Sequence, residues 1–172
     1  MNNNEINLIH FGNNCAPGII IQDILKIRKK QLFMLGYYVF NDIIKYLQDD
    51  NLYKIYDKNY LIKMEDGTTQ HKLYNFLLNH DFKYDDLSNI VNYDLVKKRF
   101  NEKINNYNEI FKLNICNVFI NFTHNVNNLD ITGFLKLYKN KINFHLIIFT
   151  DNNHKDIINE NITIIKLKNT YT

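Results

Sequence analysis

Cys15 sits in the stretch HFGNNCAPG (10–18), between an apolar run and an amphipathic one. A thiol in that position can act as a nucleophile. A cysteine just ahead of a helix receives the positive end of the helix dipole and nearby free N–H groups, which stabilise the thiolate. The same N–H groups, with Asn13 or Asn14, can bind an oxyanion. The plainer alternative is a cysteine packed under the turn, since cysteine is among the most often buried residue types. A nucleophilic thiol also needs a base, usually a histidine oriented by a third polar group. His80 follows a strand in LLNHDF, with Asp81 beside it, and His124 stands at the carboxyl end of another strand, close to Asn121. On position alone the two are equal candidates. His10 and His145 lie within strands, His154 lies in a polar loop, and His71 lies on a hairpin where it is expected to face solvent. Cys116 opens an apolar strand and is expected in the core.

The elements that must hold these groups follow from periodicity. INLIHFG (6–12) is a short apolar run closed by Gly12, which predicts a buried strand feeding a turn. APGIIIQDILKIRKK (16–30) predicts a helix with Pro17 in its first turn. A second helix is predicted over 37–48. Asp66-Gly67 centres a hairpin within residues 59–78. The longest helix is expected over 92–113, with Leu95, Val96, Phe100, Ile104, Tyr107, Ile110 and Phe111 as one stripe. CNVFINFT (116–123), DITGFLKLYKN (130–140) and NFHLIIFT (143–150) then read strand, helix, strand, and ITIIKL (162–167) reads as an edge strand. Near-continuous apolar strands alternating with helices predict parallel pairing. The expected fold is one α/β domain over 1–172, a mostly parallel sheet flanked by helices with the hairpin inserted. Ligands of open α/β sheets bind beyond the carboxyl ends of the strands. Those ends carry Asn13 to Cys15, Asn121 to Asn125 with His124, and Asp151 with His154.

Composition narrows the function classes. A chain of 172 residues can bury a sizeable core without a disulfide or metal as a staple. Its 30 Asn, 25 Ile and 19 Lys against two Arg follow A/T-rich codons, as in the genome of a large DNA virus, a protist or a parasite. A net charge of +3 is mild, and clusters such as Lys97, Lys98 and Arg99 read as a solvated helix face, so nucleic acid is not the expected partner. No Walker loop follows Gly12 or Gly18. Cys15 and Cys116 are too few for a disulfide framework and match no zinc spacing, so neither a metal nor a cofactor is expected. No signal peptide or membrane span is predicted, which makes a cytoplasmic location the expectation (host cytoplasm if the chain is viral).

The order of the weak motifs resembles the papain-like cysteine peptidase family of unknown function, which has bacterial and viral members. That family opens with a strand and Leu-Gly-x-x-Cys, then an Arg-x-x-x-x-Pro-Phe-Asp-Trp-like segment, a His-Asp-Phe motif, a basic helix and a Phe-Ile-Arg strand. HFGNNC, IRKKQLFMLG, NHDF, LVKKRFNEKI and VFINF follow the same order here, across most of the first 125 residues. The chain departs from the family where Leu32-Phe33-Met34-Leu35 replaces Pro-Phe-Asp-Trp and where Asn121 replaces the Arg; Asp42 would supply the missing carboxylate only across a gap. A papain-like fold places its Cys on a helix and its His on a strand of an antiparallel lobe, whereas the strand before Cys15 and the parallel rhythm after it favour the α/β reading. The resemblance implies Cys15 as nucleophile and His80 with Asp81 as its partners, with Asn13, Asn14, Asn121 and His124 left for oxyanion or substrate binding. The expected function is a cysteine-dependent hydrolase or peptidase-like protein acting on a protein or peptide. The alternative is a catalytically degenerate binding module, such as a viral accessory protein that engages a host or viral protein.

Overall fold

The apolar runs form two sheets. A computed structural model describes residues 6–12, 32–33, 37–78, 81–112, 115–151 and 160–167. In chain order its regular elements are β1 (Ile6–His10), α1 (Phe40–Leu47), β2 (Leu61–Lys63), β3 (Thr69–His71), β4 (Phe76–Leu77), α2 (Tyr93–Glu109), β5 (Cys116–Phe122), α3 (Ile131–Tyr138), β6 (Phe144–Thr150) and β7 (Ile162–Lys166). The larger sheet has the order β1-β5-β6-β7, and every pairing in it is parallel. The smaller one is the antiparallel meander β2-β3-β4, whose first turn is the predicted Asp66-Gly67 corner. The mixed α/β class and the edge position of β7 match the sequence expectation. The helix predicted over 16–30 lies outside the described residues.

Period-two alternation explains the layering. Phe119 and Asn121 of β5 and Phe144, Leu146 and Ile148 of β6 are buried, while Val118, Ile120, Ile147 and Phe149 between them are half-buried. The buried face carries Phe11, Phe119 and Phe144, and onto it pack Phe40 of α1 and Phe134 and Tyr138 of α3. Phe11 meets Phe33, Phe40, Phe119 and Phe134 edge-on, with ring centres 5.2 to 5.7 Å apart, the geometry that sets a positive ring edge against a negative face. Phe33 also touches Phe76 of β4, so the same aromatic core joins both sheets. α3 is capped by Asp130, which accepts from Gly133 N. A side chain at Gly133 would collide with Asp130 and with Ile44, so glycine is what lets α1 and α3 approach.

Two expectations are corrected. His71 is fully buried rather than solvent-facing: its ring stacks on Tyr74, and its Nε2 meets the Lys54 carbonyl at 2.8 Å. The hairpin folds back on the short helical turn at 52–56, which removes its inner face from water. The apolar stripe of α2 is also narrower than predicted. Leu95 and Phe111 are exposed, and Lys103 is buried in the stripe with its ammonium 4.6 Å from the Phe100 ring centre. A lysine stem is apolar enough to pack in such a stripe. Among the described residues, no helix is long and apolar enough to cross a membrane.

Candidate active site at the carboxyl edge of the parallel sheet

All four parallel strands end at one edge. β1 continues through Phe11, whose N–H donates to the Ile120 carbonyl at 2.8 Å. Gly12 then turns with φ +107, a conformation that favours glycine. Space requires glycine as well. A Cβ there would lie 2.9 Å from Asn121 Nδ2 and 3.0 Å from the Tyr38 carbonyl oxygen. Asn121 is fully buried and its Nδ2 donates to the Phe11 carbonyl, which ties the end of β5 to the end of β1.

The start of α1 is drawn to the same edge. Tyr37 and Leu77 exchange both backbone hydrogen bonds at 3.1 Å, so the chain entering α1 runs beside β4. Asn41 Nδ2 donates to the Asn128 carbonyl at 2.7 Å, and its Oδ1 accepts from Asp130 N at 2.7 Å. Those two bonds fasten α1 to the loop that follows β5. Asp81 lies in the turn after β4 and is buried. The phenol of Tyr38 is held far above its ordinary range, first by burial and then by the negative charge of Asp81. Asp42, in the first turn of α1, has its carboxyl raised by burial against a smaller opposing effect of Lys45.

His124 and Asp151 complete the edge. β5 and β6 pair Asn121 with Ile148, and three residues beyond each partner stand His124 and Asp151. The strand register therefore carries on past the sheet. His124 Nδ1 donates to Asp151 Oδ2 at 2.7 Å. A carboxylate only accepts, so Nδ1 carries a proton and Nε2 is the basic nitrogen of the neutral ring. Asp151 Oδ1 is buried with no hydrogen-bond partner among the described residues.

No family model, curated protein or solved structure matches this chain.

Asn121 lies at the carboxyl end of β5 and His124 two residues beyond that strand, whereas Asp81 lies in the turn after β4 of the antiparallel sheet. Cys15, Asn13, Asn14, His80 and His154 lie outside the described residues. The remaining described histidines have structural partners. His10 is buried with Nδ1 3.3 Å from the Phe33 carbonyl, and burial lowers its pKa to about 4. His145 bonds Thr163 Oγ1 at 2.8 Å across β6 and β7. Cys116 is a free thiol, half-buried at the opposite end of β5. Lys97, Lys98 and Arg99 are all exposed on α2, as a solvated face requires. Among the described residues, no group of three or more His, Cys, Asp or Glu stands close enough to hold a metal ion. The pairing of His124 with Asp151 was not read from sequence. Both residues stand at strand ends, and the signal that joins them is the common offset of 27 residues between β5 and β6.

Proposed function

We propose that this chain is a cysteine-dependent hydrolase, peptidase-like in its chemistry, with Cys15 as nucleophile and a histidine as base. The observation that supports it is the convergence on Tyr38. Its carbonyl abuts Gly12, from which the Cys15 loop departs, and its phenol feels Asp81, the neighbour of His80. Tyr38 thus links two segments distant in sequence, each next to a residue the chemistry needs, and its carbonyl lies against Gly12 just beyond β1 of the parallel sheet. The carboxyl end of the strands is where open α/β sheets bind ligands.

The reaction balances without a cofactor. The thiol of Cys15 gives its proton to the histidine, and the sulfur pair forms a bond to the acyl carbon of a protein or peptide. N–H groups of the turn and the amide of Asn13 or Asn14 hold the resulting oxyanion. The bond to the leaving amine then breaks, and that amine takes the proton from the imidazolium. Water gives a proton back to the histidine, bonds to the thioester carbon and expels the thiolate, which is reprotonated. The sum is acyl compound plus water going to carboxylic acid plus amine.

An activated ester tests this without knowledge of the natural substrate. Mixing the protein with p-nitrophenyl acetate should give a burst of p-nitrophenolate, with the acetyl group found on Cys15 by peptide mass spectrometry and absent in Cys15→Ser. Acetylation of Cys15 and Cys116 at equal, slow rates would count against it. A second reading, the binding module, is favoured by one observation: Leu87, Val91 and Leu95 are exposed together around the start of α2, at 83%, 61% and 49%. A protein that binds through that surface, with an inert Cys15, is what the negative result would leave.

A further inference from the structure

The outer edge of the parallel sheet points to a partner, independently of any chemistry at the other strand ends. We propose that this chain forms a twofold dimer through β7, which pairs antiparallel with β7 of a second copy and joins the two parallel sheets into one.

Three observations carry it. The first is a row of outward backbone groups. β7 stands last in the order β1-β5-β6-β7, and its strand partner among the described residues is β6. Leu146 N–H donates to the Asn161 carbonyl and Leu167 N–H to the Thr150 carbonyl, which fixes the phase of the ladder. Thr163 and Ile165 therefore turn their backbone groups toward β6, and Ile162 and Ile164 turn theirs away from it. Among the described residues, nothing bonds those outward groups of Ile162 and Ile164. The register on β6 is unbroken from Ile162 to Lys166, and the strand holds no proline. Bulges and prolines are two of the devices that shield an edge from pairing.

The second is self-complementarity. With Thr163 opposite its own copy, Ile162 meets Ile164 of the second copy and Ile164 meets Ile162. Each of these pairs exchanges two backbone hydrogen bonds, as antiparallel neighbours do. The same register sets Glu160 opposite Lys166 of the second copy. Both residues are exposed, and Glu160 enters no ion pair among the described residues. The twofold axis repeats the contact, so a Glu–Lys pair stands on either side of the isoleucines. Opposite charges facing across strands are stabilising, and like charges are not. In the two neighbouring registers an isoleucine faces the lysine or the glutamate instead, so charge selects one register. A patch that fits itself in this way is what a twofold interface requires.

The third is apolar exposure. Ile165 is 38% exposed and Leu167 42%. An added strand lays Asn161 and Thr163 of the second copy beside Ile165, within reach of cross-strand contact.

The test is sedimentation equilibrium of the full chain over a concentration series, with unfolding midpoints showing that each variant is folded. Wild type should rise from the monomer mass toward twice that value. Lys166→Glu and Glu160→Lys should each weaken association about tenfold, because two attractive pairs become repulsive. The double reversal Glu160→Lys/Lys166→Glu should bring it back to within about threefold of wild type. A disulfide reads the register, and it decides the matter where a single reversal fails to fold. Thr163 and its copy form a non-hydrogen-bonded pair with Cα atoms about 4.5 Å apart, a separation that a disulfide can bridge. In a Cys15→Ser/Cys116→Ser background, Thr163→Cys should cross-link on mild oxidation and Ile165→Cys should not. A chain that stays monomeric at every concentration overturns the proposal. So does a dimer that is indifferent to both single reversals, or one that cross-links as readily through residue 165 as through residue 163.

Discussion

Asn121 and Gly12 share a space that no side chain on residue 12 can enter, because a Cβ there would stand 2.9 Å from Asn121 Nδ2. The same amide group donates to the Phe11 carbonyl. The turn that leads to Cys15 is thus set by a polar side chain of the adjacent strand. Gly12→Ala meets both a left-handed φ of +107 and this contact. It should destabilise the fold by about 1–3 kcal/mol, measured by urea unfolding, and it should slow alkylation of Cys15 in the folded protein. An unchanged midpoint would show that the turn relaxes freely.

The bonds of Asn41 act over a longer range. Asn41→Ala removes a donor to the Asn128 carbonyl and an acceptor for Asp130 N. Each bond contributes about 0.5–1.5 kcal/mol, so a loss of about 1–2 kcal/mol is expected. Hydrogen exchange at the Asp130 amide should accelerate by more than exchange in β6, because the lost restraint is local.

Phe11 is the centre of the aromatic cluster, buried and edge-on to five other rings. Phe11→Ala should cost about 3–5 kcal/mol. Phe11→Leu should cost less, because it fills more of the cavity. Equal losses for the two would mean that ring geometry, rather than volume, dominates here.

His10 makes stability depend on pH. Its folded pKa of about 4 lies below the ordinary 6.5, because burial disfavours the charged ring. Between those values the unfolded chain binds a proton that the folded chain does not, so stability falls as pH drops from about 6.5 to about 4. By pH 4 the loss from this residue is about 3 kcal/mol. His71, also lowered by burial, adds in the same direction. His10→Gln should flatten the slope of unfolding free energy against pH in that window. Asp49, held down to about 2 chiefly by the Tyr74 hydroxyl, acts only at lower pH. A slope identical in wild type and His10→Gln would show that His10 is not the titrating group.

Much of this was legible in the residues themselves. Near-continuous apolar runs in CNVFINFT and NFHLIIFT gave two strands of a parallel sheet, Asp66-Gly67 gave the hairpin, and the strand-end rule pointed to Asn121, His124 and Asp151. Burial of His71 and Lys103 was not legible, because local periodicity contains no account of what another segment lays over a position. The ring of His71 meets Tyr74 and the carbonyl of Lys54; the hairpin alone does not encode that contact. His124 and Asp151, which share a hydrogen bond, are 27 apart in sequence. Only the register of β5 on β6 brings them together, and parallel register is a property of the assembled sheet.

The central claim is that Cys15 is an activated thiol. It is tested most directly by titrating the ultraviolet absorbance of the thiolate in the folded protein, as the difference between wild type and Cys15→Ser. The account predicts a midpoint well below the ~8.5 of a free cysteine. A midpoint at or above ~8.5 would contradict it, since the thiolate would then be no better stabilised than in a free cysteine.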